Sequence, residues 1–218
     1  HLAYDGLGYS QFCDRYAQWA RHLSATMRQT HRAGEKMFVD FSGDGIPILD
    51  RENGETQIAK LFVAVLGASN LTFVEPVLHE DLPAWIGCHV RAFEFFGGVP
   101  EIIVPDNPKV AVKSPDRYDP ELNPTYADLA RHYGVAVIPA RVRKPRDKAK
   151  VEQAVLLAER WIIAVLRHRS FSSIAELRDA IRPLVEKRNG GTMKKPNKSR
   201  REIFEAIERS ALKALPST

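Results

Sequence analysis

Three carboxylates, Asp40, Asp106 and Glu152, are the residues of this 218-residue chain whose type and setting point most directly to chemistry. Asp40 interrupts the apolar run Met37-Phe38-Val39-Asp40-Phe41, which reads as a buried strand. Asp106 closes a second run, Ile102-Ile103-Val104-Pro105, and precedes the turn signal Asn107-Pro108. Glu152 opens a long amphipathic helix, directly after a basic stretch. A lone carboxylate in an apolar strand is costly unless it is paired or bound to a cation. Each acid has a structural use of its own: an ion pair for Asp40, a turn for Asp106, the favourable helix N-terminus for Glu152. On two strands and a helix together they read as a site for hard cations.

The expected metal is Mg²⁺, with Mn²⁺ as a substitute. Mg²⁺ takes oxygen ligands, keeps several waters and binds through a few carboxylates plus substrate phosphate. Two such ions about 3.5–4 Å apart can activate an attacking oxygen and stabilise a leaving one. Zinc would ask for His or Cys at short spacings, and the seven histidines are scattered. Neither a local nucleophile motif nor a Gly-rich phosphate loop is present. Asp44, after Gly43, is the nearest decoy and is expected at a turn or rim.

The charge distribution names the substrate class. Arg141, Arg143, Lys144, Arg146, Lys148 and Lys150 crowd one stretch with a single acid, an excess equal to the net charge of +5 of the whole chain. A second run, 187–201, carries Lys187, Arg188, Lys194, Lys195, Lys198, Arg200 and Arg201 and no acid. Two such runs, one abutting a candidate metal ligand, point to nucleic acid. Arg141, Arg143, Lys144, Arg146, Lys148, Lys150, Lys194 and Lys195 are the candidate DNA contacts. Pro145 keeps the middle of the first run out of regular helix, so its side chains are expected to fan along a loop.

These groups need a framework. Phe12, Tyr16 and Trp19 at helical spacing predict an N-terminal helix. Strands are expected near 36–42, 45–49, 58–67 and 71–77, an antiparallel meander with a hairpin signal at Asn53-Gly54. Asp81 and Pro83 start a helix with Trp85, Ile86, Val90, Phe93 and Phe96 inward, ending at Gly97-Gly98. A short strand 101–104, a proline-rich loop 107–122, a helix from Asn123-Pro124 to Tyr133 and a strand 135–139 follow. The helix 149–168 is expected to bury Val151, Val155, Ala158, Ile162 and Val165. Helices 173–188 and 199–211 flank a basic linker, 189–198. The order predicts an α/β fold: a mixed five-stranded sheet flanked by helices, with an N-terminal helix and a C-terminal helical extension. The expected divisions are a lead-in 1–33, a catalytic core 34–168 and a basic extension 169–218.

With 44% hydrophobic residues the chain can build a real core. Its opening at His1 reads as part of a longer protein. No apolar run reaches the roughly 18 residues of a membrane span, and no signal-peptide pattern opens it. Cys13 and Cys88, isolated from each other, read as reduced core thiols of a cytosolic protein.

Val39-Asp40-Phe41-Ser42-Gly43-Asp44, Val104-Pro105-Asp106-Asn107-Pro108 and Lys148-Ala149-Lys150-Val151-Glu152 resemble the three acidic motifs of D-D-E transposases and retroviral-type integrases. His31-Arg32-Ala33-Gly34-Glu35-Lys36 and Ser199-Arg200-Arg201-Glu202-Ile203-Phe204 resemble, more narrowly, IstA-type insertion-sequence transposases. The resemblance covers nearly the whole chain. It implies a ribonuclease H-like fold and Asp40, Asp106 and Glu152 as catalytic metal ligands. It also implies 3′-end cleavage and strand transfer on transposon and target DNA, an IstB-like AAA+ ATPase as partner, homo-oligomers of the full-length protein and a bacterial cytoplasmic, nucleoid-associated location. Residues 107–151 make the second interval longer than in retroviral integrases, a surplus supplied by 107–122. Many relatives carry a Lys or Arg seven residues after the glutamate. That position is Glu159, next to Arg160, and Lys148 or Lys150 is the alternative contact. Two rival functions are a metal-dependent nuclease of the same fold and a DNA-binding or assembly module without catalysis.

Overall fold

The computed structural model describes residues 8–22, 31–49, 54–105, 112–114, 121–139 and 159–217. They fall into two compact units, His1–Thr30 and His31–Thr218. The first holds α1 (Tyr9–His22), where the rings of Phe12 and Tyr16 stack with centroids 6.1 Å apart. The described side chains of α1 are all exposed, Cys13 among them. Cys13 is therefore not a core thiol, because its helix buries no described side chain. Cys88 is fully buried, as expected.

The second unit is built on a five-stranded mixed sheet. β1 (Lys36–Leu49), β2 (Thr56–Leu66) and β3 (Thr72–Val77) form the antiparallel meander. β4 (Ile102–Pro105) returns parallel to β1 through the crossover helix α2 (Leu82–Phe96). Short strands β5 (Val112–Ser114) and β6 (Glu121–Leu122) pair with each other in the segment expected as loop. Helix α3 (Pro124–Tyr133) then leads to β7 (Ala136–Val137), parallel to β4. The sheet order is β3-β2-β1-β4-β7, so β1 is central. The two strands expected at 36–42 and 45–49 are one, bent at a bulge between Phe41 and Gly45. Pairing of β1 with β2 ends at Leu49↔Thr56, and Gly54 supplies a positive φ of 74° beyond it.

Local chemistry sets the helix ends. The Asp81 carboxylate accepts the Ala84 N–H at 2.9 Å and Gly97 closes α2 in the left-handed region, φ 69°. Asn123 and Gly134 do the same for α3. The pleat then divides the core. Met37, Val39, Phe62 and Ala64 face α2 and α3. Phe38, Leu61, Val63, Val65 and Val104 face the helices of the C-terminal third.

Those helices begin with a π-wound stretch, Glu159–Ile163, continuing as α4 (Ala164–Leu166). Ile162 and Leu166 are buried against the sheet, whereas Val165, expected inside, is 56% exposed. The wider i→i+5 turn rotates the apolar face, leaving the four-apart pair Ile162 and Leu166 inward. Residues 149–158, with Val151, Val155 and Ala158, lie outside the described residues. Helix α5 (Ile174–Gly190), capped by Ser173, runs two residues past its expected end. It buries Leu177, Ile181 and Val185 on the sheet. A capping box of Ser199 and Glu202 starts α6 (Arg200–Ile203), which passes into a π turn, Phe204–Glu208, and a 3-10 turn, Arg209–Ala211. At the β3 edge, buried Glu75 takes Arg178 of α5 at 2.8 Å and Arg91 of α2 at 3.3 Å. One carboxylate thereby ties the helices of both faces to the sheet. Among the described residues no helix is long and apolar enough to cross a membrane.

Beside Phe62 of β2, on the α2 face, lies a polar triplet that the sequence does not announce. His89 is fully buried. Its Nδ1 lies 2.8 Å from the Trp85 carbonyl and so carries the proton donated there. Nε2 therefore accepts from the Tyr126 hydroxyl at 3.1 Å. Burial pushes the His89 pKa from 6.5 down to about 4.

Two outcomes test this packing. Leu166→Ala should cost about 2–5 kcal/mol in urea unfolding, and Val165→Ala no more than about 0.5 kcal/mol; the reverse ranking would put the sheet-facing stripe back on Val165. An imidazole kept neutral in the fold makes the unfolded chain bind more protons between pH of about 4 and 6.5. Stability should therefore fall as pH drops through that window, at up to about 1.4 kcal/mol per unit from this group. In His89→Gln the loss of urea midpoint across the window should shrink; an undiminished loss would assign it to other groups.

Candidate functional site

Asp40 lies on the central strand, opposite Val63 of β2. Alternation puts it on the face of Phe38, Val63 and Val104, the face covered by Ile162 and Leu166. Its neighbour Phe41 packs on the opposite core, against Phe62 and Trp85. The Asp40 carboxylate is half-buried, and its Oδ1 accepts the Phe41 N–H at 2.9 Å.

The bulge just beyond it explains the run Ser42-Gly43-Asp44-Gly45. Between the pairs Phe41↔Phe62 and Gly45↔Lys60 the ladder loses its step. The buried Ser42 hydroxyl repairs it, accepting the Leu61 N–H at 2.9 Å and donating to the Asp44 carbonyl at 2.6 Å. Lys60 Nζ donates to the Gly43 carbonyl. A Cβ on Gly45 would lie 2.6 Å from the Ala59 carbonyl oxygen, so only glycine fits the close approach. Asp44 stands exposed on the bulge, the rim position expected of it. Bulges of this kind bend a strand beside functional sites. Glycines inside an apolar strand pattern are the signal that could have disclosed it.

The parallel pairing of β1 with β4 is Lys36↔Ile102, Met37↔Ile103, Phe38↔Val104 and Val39↔Pro105. It closes one residue before Asp40 on one strand and one residue before Asp106 on the other. Asp106 and Glu152 lie outside the described residues, as do Arg141, Arg143, Lys144, Arg146, Lys148 and Lys150. Among the described residues no group of three His, Cys, Asp or Glu side chains is placed to hold a metal. Lys194 and Lys195 are exposed in the loop between α5 and α6, closed by the Thr192↔Ser199 bridge.

Known proteins bear on this geometry. Residues 30–145 match the integrase core domain family. A putative transposase for insertion sequence IS408 from Burkholderia multivorans is 50% identical over 208 residues, 95% of this chain and 40% of that protein. The transposase for insertion sequence element IS21 from Pseudomonas aeruginosa is 32% identical over 158 residues, 72% of this chain and 40% of that protein. The chain thus spans about 40% of the length of these relatives. The HTLV-2 integrase catalytic core domain in complex with magnesium, in its trimeric form, aligns with a TM-score of 0.57 at 15% identity. That alignment covers 81% of this chain and 99% of the viral one, a likeness of fold that is ribonuclease H-like. With more than half its residues matched, the chain belongs to the integrase core domain family.

Proposed function

We propose that this chain is the catalytic core of an IstA-type transposase, cutting transposon ends to free a 3′-hydroxyl and joining that hydroxyl to target DNA. The observation that carries the proposal is the Val39↔Pro105 register, because the next residues in sequence are Asp40 and Asp106. Neighbouring strands lie about 4.8 Å apart, and one more residue moves a chain at most about 3.8 Å. If the chain continues in that direction, carboxylates on those two residues would come within reach of bridging cations. Glu152 would join them from the segment that precedes Ile162 and Leu166 in sequence, two residues packed on the Asp40 face. Transposases as relatives at 50% and 32% identity support DNA as substrate.

The donor chemistry fits Mg²⁺. Asp40 offers hard oxygen on its face, while Cys88 and His89, the softer candidates, sit in the opposite core. Both His89 nitrogens are already engaged. Asp40, Asp106 and Glu152 would hold two Mg²⁺ ions, replaceable by Mn²⁺, which supply charge neutralisation at the phosphate and a more acidic water. The chain's own part is positional: β1, bonded on both edges and packed on both faces, fixes the Asp40 carboxylate. In the first transfer a water oxygen bonds to phosphorus as the bond to the 3′-oxygen breaks, leaving a 3′-hydroxyl and a 5′-phosphate. In the second that 3′-hydroxyl attacks a target phosphodiester and releases a target 3′-hydroxyl. No covalent protein–DNA bond forms.

Residues 141–150, with Lys194 and Lys195, would carry the DNA. Likeness to IstA-type proteins extends the proposal to an IstB-like ATPase partner, homo-oligomers of the full-length protein and a cytoplasmic, nucleoid-associated location.

In a reaction of terminal DNA, plasmid and Mg²⁺, Asp40→Asn should reduce strand-transfer products to background. Asp44→Asn should cost about 0.5 kcal/mol or less, roughly a twofold change. Equal losses would mean the first ligand is misassigned, and cleaved but never joined ends would make the chain a nuclease. Replacing Lys144, Arg146 and Lys148 together with Ala should flatten the log–log salt dependence of duplex binding by roughly two to three units. Unrelated sequences should lose affinity as much as transposon ends; an unchanged slope would return these side chains to solvent.

A further inference from the structure

A second basic element survives outside the carboxylate site, where the end of α5 meets the start of β3. Fully buried Asn189 accepts the Thr72 N–H at 3.0 Å and donates to the Thr72 carbonyl at 2.8 Å. This pairing fixes the neighbouring Arg188, whose Nε approaches the Thr72 hydroxyl at 3.4 Å. Arg200 joins it from α6, its Nη1 donating to the Arg188 carbonyl at 3.0 Å. Two guanidiniums are thus gathered at one corner, both partly buried.

Among the described residues neither has a carboxylate within ion-pair distance. Glu208, the buried acid of the π turn after α6, spends both oxygens on the N–H groups of Ala68 and Ser69 in the β2–β3 turn, at 3.1 and 2.8 Å. Among the described residues Arg200 Nε, buried, has no hydrogen-bond partner. Burial and the like charge of Arg200 push the Arg188 pKa down to about 10. A partly desolvated pair of like charges is costly unless an anion completes it. Planar guanidiniums, each with several N–H donors, recognise a phosphate better than the point charge of a lysine does.

We propose that Arg188 and Arg200 form a binding site for one backbone phosphodiester of DNA. The proposal rests on the reading of DNA as substrate. The site shares the Asp40 side of the sheet, since α5 packs on that face. Thr72 pairs with Val65, and Val65 with Phe38, two residues before Asp40. Two strand spacings across and two residues along give about 12 Å between the Thr72 and Asp40 Cα atoms. The contact would hold the strand a few nucleotides from the bond being broken.

The test combines duplex binding by fluorescence anisotropy over a salt series with thermal unfolding in inorganic phosphate. Arg188→Gln and Arg200→Gln should each lower the log–log salt slope by about 0.9, one phosphate. Both should also lose the rise in Tm that phosphate gives the unsubstituted chain. Should the Gln variants fail to unfold cooperatively, Arg200→Lys decides. It keeps the charge and loses the fork, so the slope should hold while affinity weakens at every salt concentration; full affinity would overturn the proposal. A wild-type slope in the Gln variants would overturn it too. Loss of the phosphate response without any change on DNA would assign the pair to free phosphate and overturn the nucleic-acid source. A slope that drops as expected in a chain incapable of strand transfer would sink the transposase reading and leave this site standing.

Discussion

β1 is hydrogen-bonded on both edges and packed on both faces, so a carboxylate placed on it cannot withdraw from its surroundings. The cost of ionising such a group is settled when the strand folds. Asp40 occupies that place, and the neighbouring structure reads as its support. On one side Phe41, Phe62 and Trp85 pack with ring centroids 5.2 to 5.8 Å apart, Phe62 edge to face with both others. Behind them the Tyr126 hydroxyl donates to buried His89, whose other nitrogen donates to the Trp85 carbonyl. The strand is held rigidly from below, and Asp40 faces the side where the basic helices lie.

The opposite face is assembled from residues far away in the chain. Ile162, Leu166, Leu177, Ile181 and Val185 close over β1 and β2, and Glu75 fastens α5 and α2 to the same edge strand. The segment carrying the second basic run is therefore part of the sheet's packing, which fixes where Arg188 and Arg200 stand. Beyond Asp40 the bulge ends regular pairing, and the Ser42 hydroxyl keeps the ladder's donors satisfied while the chain bends. Stability and site geometry draw on the same few contacts.

Much of this could be read from residue order. The meander, α2 with Asp81 and Gly97, and α3 with Asn123 and Gly134 follow from local turn and cap chemistry, which needs no tertiary knowledge. Asp40 stands out because a charge breaks an apolar strand. What escaped depends on packing. Continuity of β1 through Ser42-Gly43-Asp44-Gly45 needs a side-chain hydroxyl standing in for a backbone partner. Inward Leu166 in place of Val165 needs a π turn, which leaves the apolar count unchanged and alters only the phase. Exposed Cys13 shows that helical spacing of aromatics reports a stripe without saying that anything covers it. His89 reads in sequence as one polar residue among apolar ones; its role appears only when Tyr126, 37 residues later, reaches it.

The central claim is that Asp40 shares a cation site with Asp106 and Glu152. Anomalous diffraction from crystals of the protein soaked in Mn²⁺ tests it most directly. The account predicts one or two manganese peaks bonded to Asp40 oxygen and shared with Asp106 and Glu152, at about 3.5–4 Å from each other if two are present. Manganese bound elsewhere while Asp40 remains in contact with protein groups alone would contradict it.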